Sequence, residues 1–158
     1  MGYTMVFYVD GGCRNNGYSN AIGAAAAVQM LRGGGHRSWY RQIYDNPTNQ
    51  RAEITAIIIA LQEALQAYDE LDTNPYLHLT IYSDFRYAIG CMTDWIYKWT
   101  RNEWINSAGN PVANRDLIQE ASDLDDEVKA LGNVTYEFIP RSQNGLADGY
   151  CNDALDEM

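Results

Sequence analysis

The chain has 158 residues, with 11 Lys and Arg set against 21 Asp and Glu and a formal net charge of −10. That length suits a single domain over residues 1–158, and the acidic balance excludes a protein that holds nucleic acid by bulk electrostatics, so a polyanionic partner has to be gripped locally. No apolar run reaches bilayer length, no cationic leader precedes the first apolar stretch, and Cys13, Cys91 and Cys151 lack CxxC spacing, so the expectation is a chain free of membrane with reduced thiols, in the cytoplasm or in the nucleus of a eukaryote.

Met5 to Val9 is a continuous apolar and β-branched run, which predicts a buried first strand closed by a tight turn at Asp10-Gly11-Gly12. Ile22 to Met30 predicts a second strand, and Arg32-Gly33-Gly34-Gly35 a hairpin into a third at Arg37 to Tyr44, the three forming an antiparallel meander. From Gln50 to Tyr68 the apolar positions Ile54, Ile57, Ile58, Leu61, Ala64 and Leu65 recur at helical spacing, marking the main helix. Leu77 to Tyr82 is a fourth strand ending at Ser83-Asp84, and the intervening helix implies parallel pairing for it. Tyr87 to Thr100 reads as a helix that Gly90 interrupts, and Asn114 to Leu131 as another with a solvated acidic face at Asp123 to Glu127. Val134 to Ile139 gives the fifth strand, Pro140 to Gly145 a loop, and Leu146 to Glu157 the closing helix. The fold class is therefore α/β, a mixed five-stranded sheet in the order β-β-β-α-β-α-α-β-α flanked by helices.

Four acids occupy the edges of these elements. Asp10 leaves the first strand, Glu53 sits in the first turn of the main helix, Asp84 leaves the fourth strand, and Asp148 opens the last helix. Ligands of α/β sheets gather where strands end and helices begin, so the four converge although none is a sequence neighbour of another. Carboxylates grouped in this way suit magnesium, and two such ions activate a water and stabilise a leaving oxygen in phosphodiester cleavage. Three of the acids also have a plainer reading, as a turn residue at Asp10 or a helix-dipole complement at Glu53 and Asp148. Asp153 is the alternative to Asp148 as the fourth acid, although five residues further along a helix it points to another face. Trp99 and Trp104 read as core.

The segments Tyr8-Val-Asp-Gly-Gly-Cys13 with Asn16, Thr48-Asn-Gln-Arg-Ala-Glu53, Ile81-Tyr-Ser-Asp84, Trp95 to Trp104 with Pro111-Val-Ala-Asn114, and Gln143-Asn-Gly-Leu-Ala-Asp148 resemble, in that order, the type 1 ribonuclease H family over essentially the whole chain. The resemblance implies a ribonuclease H-like fold and an endonuclease that cuts the RNA strand of RNA–DNA hybrids, leaving 5′-phosphate and 3′-hydroxyl ends. It implies two Mg2+ ions, with Mn2+ as a substitute, held by Asp10, Glu53, Asp84 and Asp148. Its partner would be the hybrid, bound by a monomer. By the same resemblance Cys13, Asn16, Asn49 and Gln50 line the RNA minor groove, where 2′-hydroxyls distinguish RNA from DNA. Thr48 and Asn114 match positions that cradle a DNA phosphate, and Tyr87, Trp95 and Ser107 a channel favouring deoxyribose. Where many members carry a histidine before the last helix, this chain has Arg141, which binds a phosphate or leaving group but keeps its proton and cannot act as a base. A non-catalytic hybrid-binding or assembly domain of the same fold is the alternative function.

Overall fold

The computed structural model describes residues 2–158. Five strands, β1 (Gly2–Arg14), β2 (Ile22–Met30), β3 (His36–Ile43), β4 (Tyr76–Ser83) and β5 (Gly132–Phe138), form one sheet in the order β3-β2-β1-β4-β5. The β1-β2 and β2-β3 pairs are antiparallel, as the meander predicts, while β4 runs parallel to β1 and β5 parallel to β4. The strand-helix-strand unit thus delivers β4 across β2 to the far side of β1, and β3 is left at the sheet edge.

The first strand is longer than the sequence predicts. It does not turn at Asp10: Asp10 pairs with Ala26, Gly11 with Ala25 and Gly12 with Ala24, so Asp10 lies inside a strand. Gly11 serves close approach rather than a turn. A Cβ there would lie 2.3 Å from the Ala52 carbonyl carbon and 2.4 Å from the Glu53 nitrogen, so only a glycine admits the helix backbone. Gly11→Ala is accordingly expected to lower stability by about 1–3 kcal/mol or more, seen as a shifted urea midpoint at unchanged slope.

That helix, α1 (Asn49–Asp69), starts at Thr48, whose hydroxyl accepts the Arg51 N–H, and buries Ile54, Ile57, Ile58, Leu61 and Ala64. With α4 (Arg115–Lys129) it covers one face of the sheet, packing on Met5, Phe7 and Val9 of β1 and on Leu77, Leu79 and Ile81 of β4. The other face is covered by α5 (Gly145–Asp156), which buries Cys151, Ala154 and Leu155 against β2. Between these layers β2 carries Ala24, Ala25, Ala26 and Ala27, all fully buried; Ala25 and Ala27 belong to the α1 side, Ala24 and Ala26 to the α5 side.

The predicted helix over Tyr87 to Thr100 is interrupted after Gly90, where the sequence places the interruption. It runs as α2 (Arg86–Gly90), a π-helical turn (Cys91–Trp95) and α3 (Ile96–Trp99). The Trp95 ring lies 3.0 Å from where a Gly90 Cβ would sit, so the absent side chain makes room for the indole. Trp104 is buried and Trp99 packs against the core, as expected of them. The acidic face of α4 is not wholly solvated, because Asp125 is only 4% exposed. It accepts a 2.6 Å hydrogen bond from the Tyr136 hydroxyl and pairs with Lys129 at 2.7 Å, which compensates its burial. Burial and the adjacent Asp125 carboxylate push the Tyr136 phenol well above its usual range, so it stays a donor.

Candidate active site

Pairing of β4 with β1 stops at Val9 and Ser83, while β1 continues to Arg14. Past that point the backbone of β1 needs other partners. The Gly11 N–H donates to Glu53 Oε1 at 2.6 Å, and the Val9 carbonyl accepts from Asn144 Nδ2 at 2.8 Å. Asp84, the first residue beyond β4, accepts a second bond from the same Asn144 nitrogen at 3.1 Å. Glu53 stands four positions into α1, just past the first turn in which it was expected, and there it reaches β1 instead of complementing the helix dipole.

These contacts gather Asp10, Glu53 and Asp84 so that one carboxylate oxygen from each lies within 4.8 Å of the others. Asp10 and Glu53 are 2% and 3% exposed. Burial is the main cause that raises the Asp10 carboxyl above its ordinary range, and the charges of Asp84 and Asp148 raise it further. Glu53 is raised for the same reasons, burial first and then the Asp10 carboxylate. Asp148 lies in the first turn of α5, half-buried, and lines one cavity of about 350 Å³ with Asp10, Cys13, Asn49 and Arg141. It stands outside the close triad but on the same side as Asp10. Asp153 is exposed and does not line that cavity.

Like charges held this closely and this deeply are costly without a counter-charge. Two of their oxygens, Asp10 Oδ1 and Glu53 Oε2, are buried and have no hydrogen-bond partner. An all-oxygen donor set with unpartnered lone pairs fits a hard divalent cation such as Mg2+ or Mn2+, and no thiol or imidazole belongs to the group.

The remaining predicted residues fall into two neighbouring patches. Cys13 donates its N–H to Asn49 Oδ1 at 2.9 Å, and the Asn49 N–H donates to Asn16 Oδ1 at 3.2 Å, so a polar strip runs along the start of α1. Asn114, in a left-handed conformation with φ 62°, donates from Nδ2 to Gln50 Oε1 and to the Tyr87 hydroxyl, both at 3.1 Å. That bond joins the strip to a cavity of about 540 Å³ lined by Tyr87, Trp95, Trp99, Ser107 and Lys98. Burial pushes the Tyr87 phenol up to about 12, which keeps it neutral. Thr48, the cap of α1, directly precedes Asn49 of the strip, and Arg141 occupies a 3-10 turn (Arg141–Gln143), exposed beside the acids.

Asn144 is the residue whose role the sequence does not reveal. It lies in the Gln143 to Asp148 motif, but only its 1% exposure and its two bonds show that it ties β1 to Asp84. Asn144→Ala leaves the Val9 carbonyl and an Asp84 oxygen short of a donor, which costs about 1–3 kcal/mol. Urea unfolding should show that loss, and calorimetric Mg2+ titration should show affinity weakened by about 10–100-fold, the usual scale for residues that orient a metal ligand.

Residues 3–154 match the family model described as RNase H. Among curated relatives, the ribonuclease H of Pelobacter propionicus is 34% identical over 96% of this chain and 84% of its own length. That of Clostridium botulinum is 29% identical over 98% and 97%. Among solved structures, LC11-RNase H1 in complex with an RNA/DNA hybrid superposes with a TM-score of 0.64 at 21% identity, covering 97% of each chain. The β3-β2-β1-β4-β5 sheet, the clustered acids Asp10, Glu53 and Asp84, and a family match over almost the whole length agree: the chain belongs to the RNase H family.

Proposed function

We propose that this chain, acting as one domain, is a metal-dependent endoribonuclease that hydrolyses the RNA strand of RNA–DNA hybrids and leaves 5′-phosphate and 3′-hydroxyl ends. The observation that carries the proposal is the Asp10–Glu53–Asp84 triad, with Asp10 and Glu53 buried and two of their oxygens unpartnered, beside a polar strip that leads on to an aromatic cavity. Asp10, Glu53, Asp84 and Asp148 would hold two divalent cations, Mg2+ in the first place. Bound there, such ions supply the positive charge that activates a water and stabilises a leaving oxygen.

The chain's own residues supply position. Gly11 and Asn144 fix Glu53 and Asp84 by hydrogen bonds, so the acids are arranged before a cation arrives. Asn16, Asn49, Gln50 and the backbone at Cys13 present polar groups to the RNA minor groove, where the 2′-hydroxyl marks RNA. Thr48 and Asn114 hold a DNA phosphate, and the cavity at Tyr87, Trp95 and Ser107 packs against deoxyribose, which selects a hybrid over duplex RNA. Arg141, exposed beside Asp10 and Asp148, holds a phosphate oxygen or the leaving group and moves no proton.

An end-labelled hybrid incubated beside single-stranded RNA, duplex RNA and duplex DNA, with Mg2+, Mn2+ or chelator, tests this reading. Metal-dependent internal cutting confined to the RNA strand of the hybrid is the expected result. Tight hybrid binding without cutting would replace it with a non-catalytic hybrid-binding domain.

A further inference from the structure

Beyond Thr48 the substrate face does not end. A third cavity, of about 430 Å³, is lined by Tyr18, Ser19, Tyr44, Asn46, Pro47 and Thr48, so Thr48 belongs both to the proposed DNA-phosphate contact and to this adjoining space. Its two tyrosines are 75% and 65% exposed, the most exposed large hydrophobic side chains among the described residues. The walls are pre-shaped. The Tyr18 N–H donates to the Asn15 carbonyl at 3.0 Å and the Ala21 N–H to the Tyr18 carbonyl at 3.1 Å, closing two successive turns. Asn15, Gly17 and Asn46 hold left-handed conformations at φ 57°, 90° and 54°. The Asn16–Asn49 bond anchors this loop to the start of α1.

The chemistry of the lining identifies what fits. It holds no Lys or Arg, and Asp45 lies in sequence between Tyr44 and Asn46, so a phosphate is disfavoured there. Two exposed aromatic side chains in one lining with an amide and two hydroxyls suit a nucleobase, which stacks on its faces and hydrogen-bonds at its edge. A base inside the duplex is already stacked and paired, so only an unpaired one is free to enter.

We infer that Tyr18 and Tyr44 form a stacking subsite for an unpaired nucleotide of the DNA strand, extending beyond the end of the hybrid whose DNA phosphate Thr48 holds. The inference rests on the proposed hybrid-binding face. It makes the hybrid terminus, and not only its interior, a recognised feature. Stacking also suits a chain with net charge −10, because it is far less sensitive to salt than phosphate contacts are.

The test compares kcat/KM for four hybrids: blunt, with a 5′ or a 3′ single-stranded DNA extension, and with an RNA extension. A DNA extension of one polarity should raise kcat/KM about tenfold, equivalent to about 1.4 kcal/mol. Tyr18→Ala and Tyr44→Ala should each bring the ratio of extended to blunt close to one, while Tyr44→Phe keeps it. The ratio should persist as salt rises and absolute rates fall. Equal rates on blunt and extended hybrids, a preference that survives both alanine variants, or a preference for the RNA extension would overturn the inference. Failure to cut the blunt hybrid would instead count against the proposed activity, and anisotropy with the same four oligonucleotides would still decide the subsite.

Discussion

Asp10→Asn is expected to lower hybrid cleavage by more than about 100-fold, since groups that merely orient a metal ligand already change affinity or activity by about 10–100-fold. The same variant should be at least as stable as the parent in chelator. Asp10 is buried beside Glu53 and Asp84 with one oxygen unpartnered, so an amide of equal shape removes a buried like charge and leaves the β1–β2 pairing of Asp10 with Ala26 untouched. Asp84→Asn should behave alike in activity, whereas Asp153→Asn, exposed and away from the acid cavity, should cut at close to the parental rate. Single-turnover cleavage and urea unfolding measure the two halves. Parental turnover in Asp10→Asn, or a large loss in Asp153→Asn, would overturn the assignment of the acids.

The metal-free protein should lose stability as pH rises from the acid range toward neutrality, and divalent cation should restore it. Asp10 has its folded-state pKa raised from 3.8 to about 7, and Glu53 is raised as well. Above 3.8 the unfolded chain therefore gives up the Asp10 proton while the folded chain keeps it, so the folded state binds more protons and stability falls with rising pH. The loss accumulates up to about 7 for Asp10, above which both states are ionised there. It should reach at least about 1.4 kcal/mol, the equivalent of one pKa unit. A cation binds the ionised form, so its stabilisation grows over the same interval, to about 2.7 kcal/mol when its concentration is a hundred times Kd. Thermal or urea unfolding between pH 4.5 and 8, with chelator and with Mg2+, provides the measurement; stability that climbs with pH in chelator would contradict the clustering of the acids.

Most elements are legible in the sequence because their signals are local. Ile54 to Leu65 repeats at helical spacing, and the strand runs are bounded by Gly, Pro, Asn and Asp. The errors fall where a distant part of the chain decides. Asp10-Gly11-Gly12 carries the residues of a turn, yet the glycine at 11 is required by the α1 backbone at Ala52 and Glu53, far away in sequence and invisible to a local pattern. Asp125 has the sequence context of a solvated acid and becomes buried because β5 brings Tyr136 to it. The interruption at Gly90 is legible, and only its form, a π-helical turn with the Trp95 ring over the glycine, is not. The acids themselves stand out through their place at element ends, although for Asp10 that reason was mistaken: β1 does not end there, and what exposes its carboxylate to the others is the earlier end of β4. Asn144 is absent from any such reasoning, because an asparagine before a helix resembles an ordinary loop residue until its two acceptors are seen.

The run of four alanines in β2 has a dimensional consequence. Helix α1, which carries Glu53, and helix α5, which carries Asp148, lie on opposite faces of that strand, and from Ala24 to Ala27 it puts only backbone and methyl groups between them. The strand therefore works as a shim: its thinness sets the gap across which acids from the two layers meet. A longer side chain at Ala24 or Ala26 would lift α5 and carry Asp148 away from Asp10 without altering either acid. The spacing of the acids in this protein is thus governed partly by residues that have no chemistry of their own.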